Sequence, residues 1–158
     1  MRHTLAVLVH NRSGVLARVA GLFSRRGYNI HSLSVGITED PDISRMTIVV
    51  EGDADIIEQM SKQLHKLIDV IKISDITSDQ VVARELALIK VTATSTNRSE
   101  ILEVVNIFRA QIVDVHPKSL VIEVTGDADK IDAMVNMLRP YGIKEMVRTG
   151  RVAMARGT

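Results

Sequence analysis

The chain of 158 residues contains no cysteine and no tryptophan, and its aromatic residues are two phenylalanines and two tyrosines. Without cysteine there is no disulfide, no thiolate metal site and no cysteine nucleophile, which fits a reducing compartment. Because 46% of the residues are hydrophobic and only 3% are aromatic, the core has to be built from aliphatic side chains. The length suits one ordinary domain or two small ones.

The sequence also lacks an excess of charge of either sign and long apolar runs. Lysine and arginine number 20 and aspartate and glutamate number 19, so the formal net charge is +1. This balance gives no general electrostatic reason to bind nucleic acid or an anionic membrane. The apolar runs are too short to span a bilayer, and residues 1–4 lead into a strand without a signal-peptide pattern. We therefore expect a cytoplasmic location.

An internal repeat is the strongest sign of organisation. The segment Val50–Met60 (VEGDADIIEQM) recurs as Val124–Met134 (VTGDADKIDAM). Each copy ends a run rich in β-forming residues and opens a helical one; chance likeness of two helix-start signals is the alternative to a duplication. Capping boxes are predicted at three helix starts: Asp55 with Glu58, Asp129 with Asp132, and Asn97 with Glu100.

The two halves have the same predicted order of elements. In the first half, strands are predicted near 4–10, 30–37, 44–51 and 70–76, and helices near 14–26 and 54–67. In the second half, strands are predicted near 85–93, 111–116, 119–125 and 143–150, and helices near 98–109 and 128–139. Apolar residues at helical spacing and strands rich in valine and isoleucine support these predictions.

This order predicts an α+β protein made of two ferredoxin-like βαββαβ units. We place the boundary in the polar segment 74–83, with domains at 1–77 and 78–158. Each unit leaves a sheet face or edge uncovered and buries only a modest core. We therefore expect the chain to form at least a homodimer.

The segment Leu5–Ile30 carries the candidate binding site. An apolar strand turns at Gly14 into an amphipathic helix, and such a helix start presents free backbone N–H groups and a positive dipole end to an anion. Asn11 and Asn29 offer amide oxygens to an ammonium group. A site with both donors and acceptors suits the carboxylate and the ammonium group of a free amino acid. A branched side chain of that amino acid can be surrounded by Val15, Leu16 and Ile30. The alternative is a plain turn in which both asparagines are turn formers.

Several segments resemble the regulatory (small) subunit of acetohydroxyacid synthase, also called acetolactate synthase, whose first part is an ACT domain. The strongest likeness is in His10–Ile30 (HNRSGVLARVAGLFSRRGYNI). Further matching segments are Asp40–Thr47, Lys62–Leu67, Arg84–Leu86, Ile107–Val115 and Arg148–Gly157. The likeness covers both halves, so the second unit is expected to be the C-terminal ferredoxin-like domain of the same family.

The resemblance implies a protein that is not itself an enzyme. It would activate a catalytic subunit that carries thiamine diphosphate, magnesium and FAD, and it would confer feedback inhibition by a branched-chain amino acid, commonly valine. The effector would lie between two ACT domains of a homodimer. Carried onto this sequence, the effector-binding residues are Asn11, Gly14, Val15, Asn29 and Ile30. The second half lacks the Asn…Gly loop, so we expect no effector there.

Other chemistry has little support in the sequence. No two histidines have metal-ligand spacing, no catalytic triad or phosphate loop can be proposed, and the acidic segment 39–42 is predicted to be a solvated turn. The arginines near the C-terminus suggest RNA, but the predicted strands have almost no aromatic residues for base stacking. A stand-alone ACT sensor that controls another enzyme or transcription, and a small ferredoxin-like enzyme, are the alternatives left open.

Overall fold

A computed structural model describes residues 1–157 of the chain. Over these residues the chain forms two compact units. Unit 1 comprises Met1–Val82 and the residues from Arg151 onward, and unit 2 comprises Ala83–Gly150. The predicted α+β class with two βαββαβ units is confirmed.

Unit 1 is a four-stranded sheet with two helices. Its elements are β1 (Arg2–His10), α1 (Val15–Arg25), β2 (Ile30–Ile37), β3 (Ile43–Glu51), α2 (Ala54–His65) and β4 (Val70–Asp75). The strand order is β2-β3-β1-β4, and every neighbouring pair is antiparallel. Strand β2 therefore lies at one edge of the sheet, and β1 and β2 run in the same direction.

Unit 2 repeats this order. Its elements are β5 (Val81–Thr92), α3 (Arg98–Ile107), β6 (Gln111–His116), β7 (Ser119–Gly126), α4 (Ala128–Leu138), a 3₁₀ turn (Arg139–Tyr141) and β8 (Ile143–Arg148). The strand order is β6-β7-β5-β8. Pro140 lies in the 3₁₀ turn and Gly142 follows it with a φ of +95°, which together end the helical segment before β8.

Each unit has its own aliphatic core between the sheet and the helices. In unit 1, Leu5, Val7 and Val9 alternate along β1 and pack with residues of both helices, including Phe23 and Leu64. The core of unit 2 is formed in the same way by residues of β5, β7, α3 and α4: Ala87, Ile89, Val91, Ile101, Leu120, Ile122, Ile131, Met134 and Leu138. The alternation follows from the two-residue period of strands.

The helices of the repeated segments begin two residues earlier than the predicted capping boxes. Asp53 Oδ1 accepts a hydrogen bond from the N–H of Ile56 at 2.9 Å, and Asp127 Oδ1 accepts one from Lys130 at 2.9 Å. The predicted caps at Asp55 and Asp129 are wrong, because both residues are already in the first helical turn. At the third predicted box, Asn97 precedes α3, but its side chain accepts from the N–H of Thr94 instead of capping the helix.

A short final strand, β9 (Val152–Ala155), is absent from the sequence prediction. It pairs with β5, and the N–H of Arg156 donates to the carbonyl oxygen of Gln80 at 2.8 Å. Arg45 also donates to the carbonyl oxygen of Ala153 at 2.6 Å. Strand β5 begins at Val81, earlier than predicted, and residues 151–157 belong to unit 1 together with Met1–Val82.

Candidate functional site

The loop between β1 and α1 is tied to its neighbours by main-chain and amide hydrogen bonds. The N–H of Asn11 donates to the carbonyl oxygen of Asp42 at 2.7 Å, and Asn11 Nδ2 donates to the carbonyl oxygen of Pro41 at 2.9 Å. These bonds fix the loop to the turn between β2 and β3. The side chain of Asn11 is therefore held in place by a bond from one of the two N–H groups of its amide nitrogen.

Gly14 forms the start of α1 in a conformation that favours glycine. Its φ is +84°, in the left-handed region, and α1 has no side-chain hydrogen bond at this cap. The first residues of a helix have N–H groups without partners inside the helix, and the dipole makes this end positive. The start of α1 therefore offers backbone donors to an anion.

The structure corrects the role that the sequence suggested for the side chain of Val15. Its side chain was expected to surround a ligand, but it is 3% exposed and packs in the core of unit 1. The side chain of Leu16 is 45% exposed. In α1 the side chain of Val15 therefore faces the core, whereas that of Leu16 faces away from it. The N–H of Val15 donates to the carbonyl oxygen of Arg12 at 3.4 Å, so neither its side chain nor its N–H is left for a ligand, and Leu16 supplies the apolar surface.

Asn29 and Ile30 lie at the other end of the sheet from Asn11 and Gly14. Ile30 pairs with Val50 near the end of β3, whereas the last residue of β1, His10, pairs with the first residue of β3, Ile43. Strand β2 has eight residues, and at about 3.3 Å per residue its two ends lie about 20 Å apart. One chain therefore does not bring the five predicted site residues together: the first three lie at one end of the sheet and the last two at the opposite end.

A cluster of three charged residues lies beside Gly14 and was not singled out from the sequence. Arg18 Nη2 donates to Asp69 Oδ2, and Arg12 Nη1 lies 3.5 Å from Asp69 Oδ1. Asp69 is 8% exposed, while the two arginine side chains are more than half exposed. Asp69 is 51 residues from Arg18 in the chain, so no local pattern in the sequence points to this contact.

The remaining candidates form contacts of a structural kind. In the acidic turn, Asp40 Oδ1 accepts a hydrogen bond from the N–H of Asp42 at 3.0 Å. His3 Nδ1 lies 3.3 Å from Asp75 Oδ2, and its Nε2 is buried without a hydrogen-bond partner in the described chain. No group of three or more histidine, aspartate or glutamate residues within 1–157 is arranged to hold a metal ion.

Two of the arginines near the C-terminus are engaged with other residues of the chain. Arg148 donates to Glu85 and to Asp132, and Arg151 Nη1 donates to Thr4 Oγ1 at 3.2 Å. These contacts give both side chains a role in holding strands and helices in place.

Among the described residues, no helix is both long enough and apolar enough to cross a membrane.

Comparison with known proteins gives the family. Residues 5–72 match the family model of the AHAS small subunit-like ACT domain, where AHAS is acetohydroxyacid synthase, and residues 84–157 match that of the small subunit of acetolactate synthase. A probable acetolactate synthase small subunit from Archaeoglobus fulgidus is 62% identical over 99% of this chain and 98% of its own length. The acetolactate synthase small subunit of Mycolicibacterium smegmatis is 56% identical over 98% of this chain and 91% of its own length.

A solved structure agrees with these relatives. The crystal structure of the acetolactate synthase small subunit from Thermotoga maritima matches 100% of this chain and 99% of its own chain, with a TM-score of 0.92 and 43% identity. Both units of the present chain are therefore matched in sequence and in structure. The chain belongs to the family of acetolactate synthase small subunits, with an ACT domain in its first unit.

Proposed function

We propose that this chain is a non-catalytic subunit that binds the catalytic subunit of acetolactate synthase, raises its activity and makes it sensitive to a branched-chain amino acid, with valine as the leading candidate. Thiamine diphosphate, magnesium and FAD would then be held by the catalytic subunit. The observation that carries the proposal is the start of α1, where Gly14 has a φ of +84° and no side chain caps the helix. We propose that the chain works in the cytoplasm, together with this catalytic partner.

The chemistry of this helix start suits the carboxylate of an amino acid. Backbone N–H groups donate to the carboxylate, as at other helix N-termini that bind anions. The amide oxygen of Asn11 accepts from the ammonium group, and the bond from its amide nitrogen to the carbonyl oxygen of Pro41 holds the side chain in place. The half-exposed Leu16 contacts the aliphatic side chain. Burying such a side chain contributes about 1.5–3 kcal/mol.

The second half of the effector site is supplied by another copy of the chain. Within one chain, Asn29 and Ile30 lie at the end of the sheet opposite to Gly14, because β1 and β2 run in the same direction. Strand β2 is an edge strand, and its Val35 and Ile37 are 46% and 64% exposed. Exposed edges of this kind pair with other strands.

Antiparallel pairing of two β2 strands brings the start of one next to the end of the other. Ile30 of a second copy then lies at the end of the sheet where Asn11 and Gly14 of the first copy are found. Two equivalent sites form in each dimer, because a twofold axis repeats every contact. An effector held between two chains has different contacts in different dimer arrangements, which is the physical requirement for allosteric control.

Co-purification with the catalytic subunit tests the proposal. The two chains are expected to elute as one complex, and the complex is expected to be more active on pyruvate than the catalytic subunit alone. Valine, leucine and isoleucine are then added in turn, since one methylene group discriminates by only about 1–3 kcal/mol. Inhibition by at least one of them is expected. A stable complex without any change in activity or inhibition would contradict the proposal, and amino-acid binding without a complex would favour a stand-alone sensor.

A further inference from the structure

Asp69 is a nearly buried carboxylate that contacts the segment around Gly14 without belonging to the predicted effector site. It lies between α2 and β4, and its side chain keeps 11% of its accessible surface. A carboxylate that loses most of its hydration is stable only with charged partners or several hydrogen bonds. Both of its ionic partners, Arg12 and Arg18, come from the loop and helix that surround Gly14.

The contacts of Asp69 hold this loop from both sides. Its carboxylate accepts a hydrogen bond from Arg18 in the second turn of α1 and lies 3.5 Å from the guanidinium of Arg12 in the loop. Its main-chain carbonyl oxygen accepts a hydrogen bond from the N–H of His10, the last residue of β1, at 2.8 Å. One residue therefore fixes the end of the strand, the loop and the helix relative to one another.

The side chain of Arg18 lies directly against Gly14. Its main-chain N–H donates to the carbonyl oxygen of Gly14 at 3.1 Å. A Cβ built on Gly14 would lie 3.1 Å from Arg18 Nη1, closer than side chains normally approach. Asp69 thus holds a guanidinium group on the side of Gly14 where any other residue would place its own side chain.

The charges of the cluster do not cancel. Two guanidinium groups face one carboxylate, so one positive charge is left over beside the positive end of α1. The arginine side chains are 65% and 51% exposed, so without Asp69 they would return to water and move freely. A ligand would then have to order the loop as it binds, and this ordering lowers affinity.

We infer that Asp69 is a positioning residue for the effector: through Arg12 and Arg18 it keeps the Gly14 loop in the arrangement that receives the carboxylate. The inference rests on the proposed function, because it concerns the same site. It adds a residue on a different element, distant in sequence, to those that set the affinity for the amino acid. Asp69 itself does not touch the ligand.

Asp69→Asn is the direct test, since it removes the charge with little change in size. In the complex with the catalytic subunit, the valine concentration for half-maximal inhibition is expected to rise about tenfold. Calorimetric titration of the complex with valine is expected to show the same shift. Asp69→Glu, which keeps the charge, is expected to recover part of the affinity. Asp132→Asn is the matched control, because it removes a carboxylate from an arginine pair in unit 2, and it is expected to leave inhibition unchanged.

Arg18→Gln is a second test, on an exposed side chain. It can still be measured if the Asp69 variant does not assemble with the catalytic subunit. This variant is expected to weaken inhibition as well. The double variant is expected to weaken inhibition no more than Asp69→Asn alone, because both substitutions break the same contact. Unchanged inhibition in both single variants, or fully additive effects in the double variant, would overturn the inference. An unmodified complex that none of valine, leucine and isoleucine inhibits would overturn the proposed function and the inference with it.

Discussion

The first helices of the two units begin in different ways. In unit 1, Gly14 has a φ of +84° and leaves the helix start without a side-chain cap. In unit 2, Asn97 has a φ of −107°, and its side-chain oxygen accepts from the N–H of Thr94 at 2.7 Å. Arg98 then donates to the carbonyl oxygens of His116 and Pro117. Neither helix has a side-chain hydrogen bond at its cap; the two starts differ because unit 1 has a glycine at a positive φ, where unit 2 has an asparagine whose side chain bonds within its own loop.

The second helices of the two units begin in the same way. Asp53 and Asp127 each accept a hydrogen bond from the N–H three residues on, both at 2.9 Å. The duplicated architecture is thus kept where it serves the fold, and it differs at the helix start where a ligand is proposed to bind. The βαββαβ fold that the two units share therefore does not by itself determine how the first helix of a unit begins.

The largest expected effect tests whether the two cores are separate. Leu64→Ala in α2 and Leu138→Ala in α4 each remove a side chain with 0% exposure, and each is expected to cost about 2–5 kcal/mol of stability. Because each leucine belongs to a different core cluster, amide hydrogen exchange should accelerate mainly in the unit that carries the change. Equal acceleration in both units would show that they unfold as one.

The next effect concerns the two helix starts themselves. Gly14→Asp places a side chain at a φ of +84° and against Arg18, and it adds negative charge where a carboxylate is proposed to bind. The valine concentration for half-maximal inhibition of the complex is expected to rise about a hundredfold. Strain at this position also costs about 1–2 kcal/mol of stability. Asn97→Asp in unit 2 is the control, and inhibition of that variant at the unmodified valine concentration is expected.

The aspartate caps of α2 and α4 provide a smaller effect on stability, which should be equal in the two units. Asp53→Ala and Asp127→Ala are each expected to lower the free energy of unfolding by about 1 kcal/mol, because each removes the side-chain acceptor at a helix start. Asp55→Ala and Asp129→Ala lie two residues later, in the first turn of each helix, and retain that acceptor, so they should lose only about 0.3–1 kcal/mol from the helix dipole. Denaturant titration measures all four. A larger loss at Asp55 than at Asp53 would contradict the observed cap.

The smallest effect is a difference in the response to acid. Burial raises the pKa of Asp75, but hydrogen bonds from Thr77 and from His3 outweigh it, so the pKa lies below its usual value of 3.8. A lowered pKa means that ionised Asp75 stabilises unit 1 above its unfolded pKa, and that this contribution is lost as the pH falls through the folded value. The side chain is 39% exposed, so solvent screening keeps the effect small.

Unit 2 has an arginine at the corresponding end of its last strand, and this provides the comparison for the acid response. Like any arginine, Arg148 stays charged throughout an acid titration, and the hydrogen bond with Glu85 raises its pKa further. Asp75→Asn is expected to flatten the loss of stability as the pH falls through and below 3.8. Thermal melting at each pH, compared with the unmodified chain, measures it. An unchanged slope would contradict the role of Asp75.

The sequence predicted the elements better than their details. The two periods, 3.6 for helices and 2 for strands, locate the strands and helices of both units because each element buries one face. The capping residues were displaced by two positions, since both aspartates of each Gly-Asp-Ala-Asp segment are good caps and local sequence does not choose between them. Strand β9 was missed because its partner is β5, far away in the chain.

The candidate site shows the same limit. Gly14 was predicted as the turn from the strand into the helix, and its φ of +84° is one that glycine adopts readily. The burial of Val15 depends on the rotation of α1 about its axis, which the apolar pair Val15 and Leu16 leaves open. Asp69 was missed because its contact with Arg18 spans 51 residues. The separation of Asn29 from Gly14, in contrast, follows from the order of strands and needs no coordinates.

A mixed dimer tests most directly whether two chains share each effector site. Gly14→Asp and Asn29→His are each expected to raise the valine concentration for half-maximal inhibition strongly when present in all copies, about a hundredfold for Gly14→Asp. When the two variant chains are combined in one dimer, one site carries both changes and the other carries neither. The mixed dimer is therefore expected to bind valine at one site, with the affinity of the unmodified chain, in calorimetric titration. Absence of any restored binding in a verified mixed dimer would contradict a site made from Gly14 of one chain and Asn29 of the other.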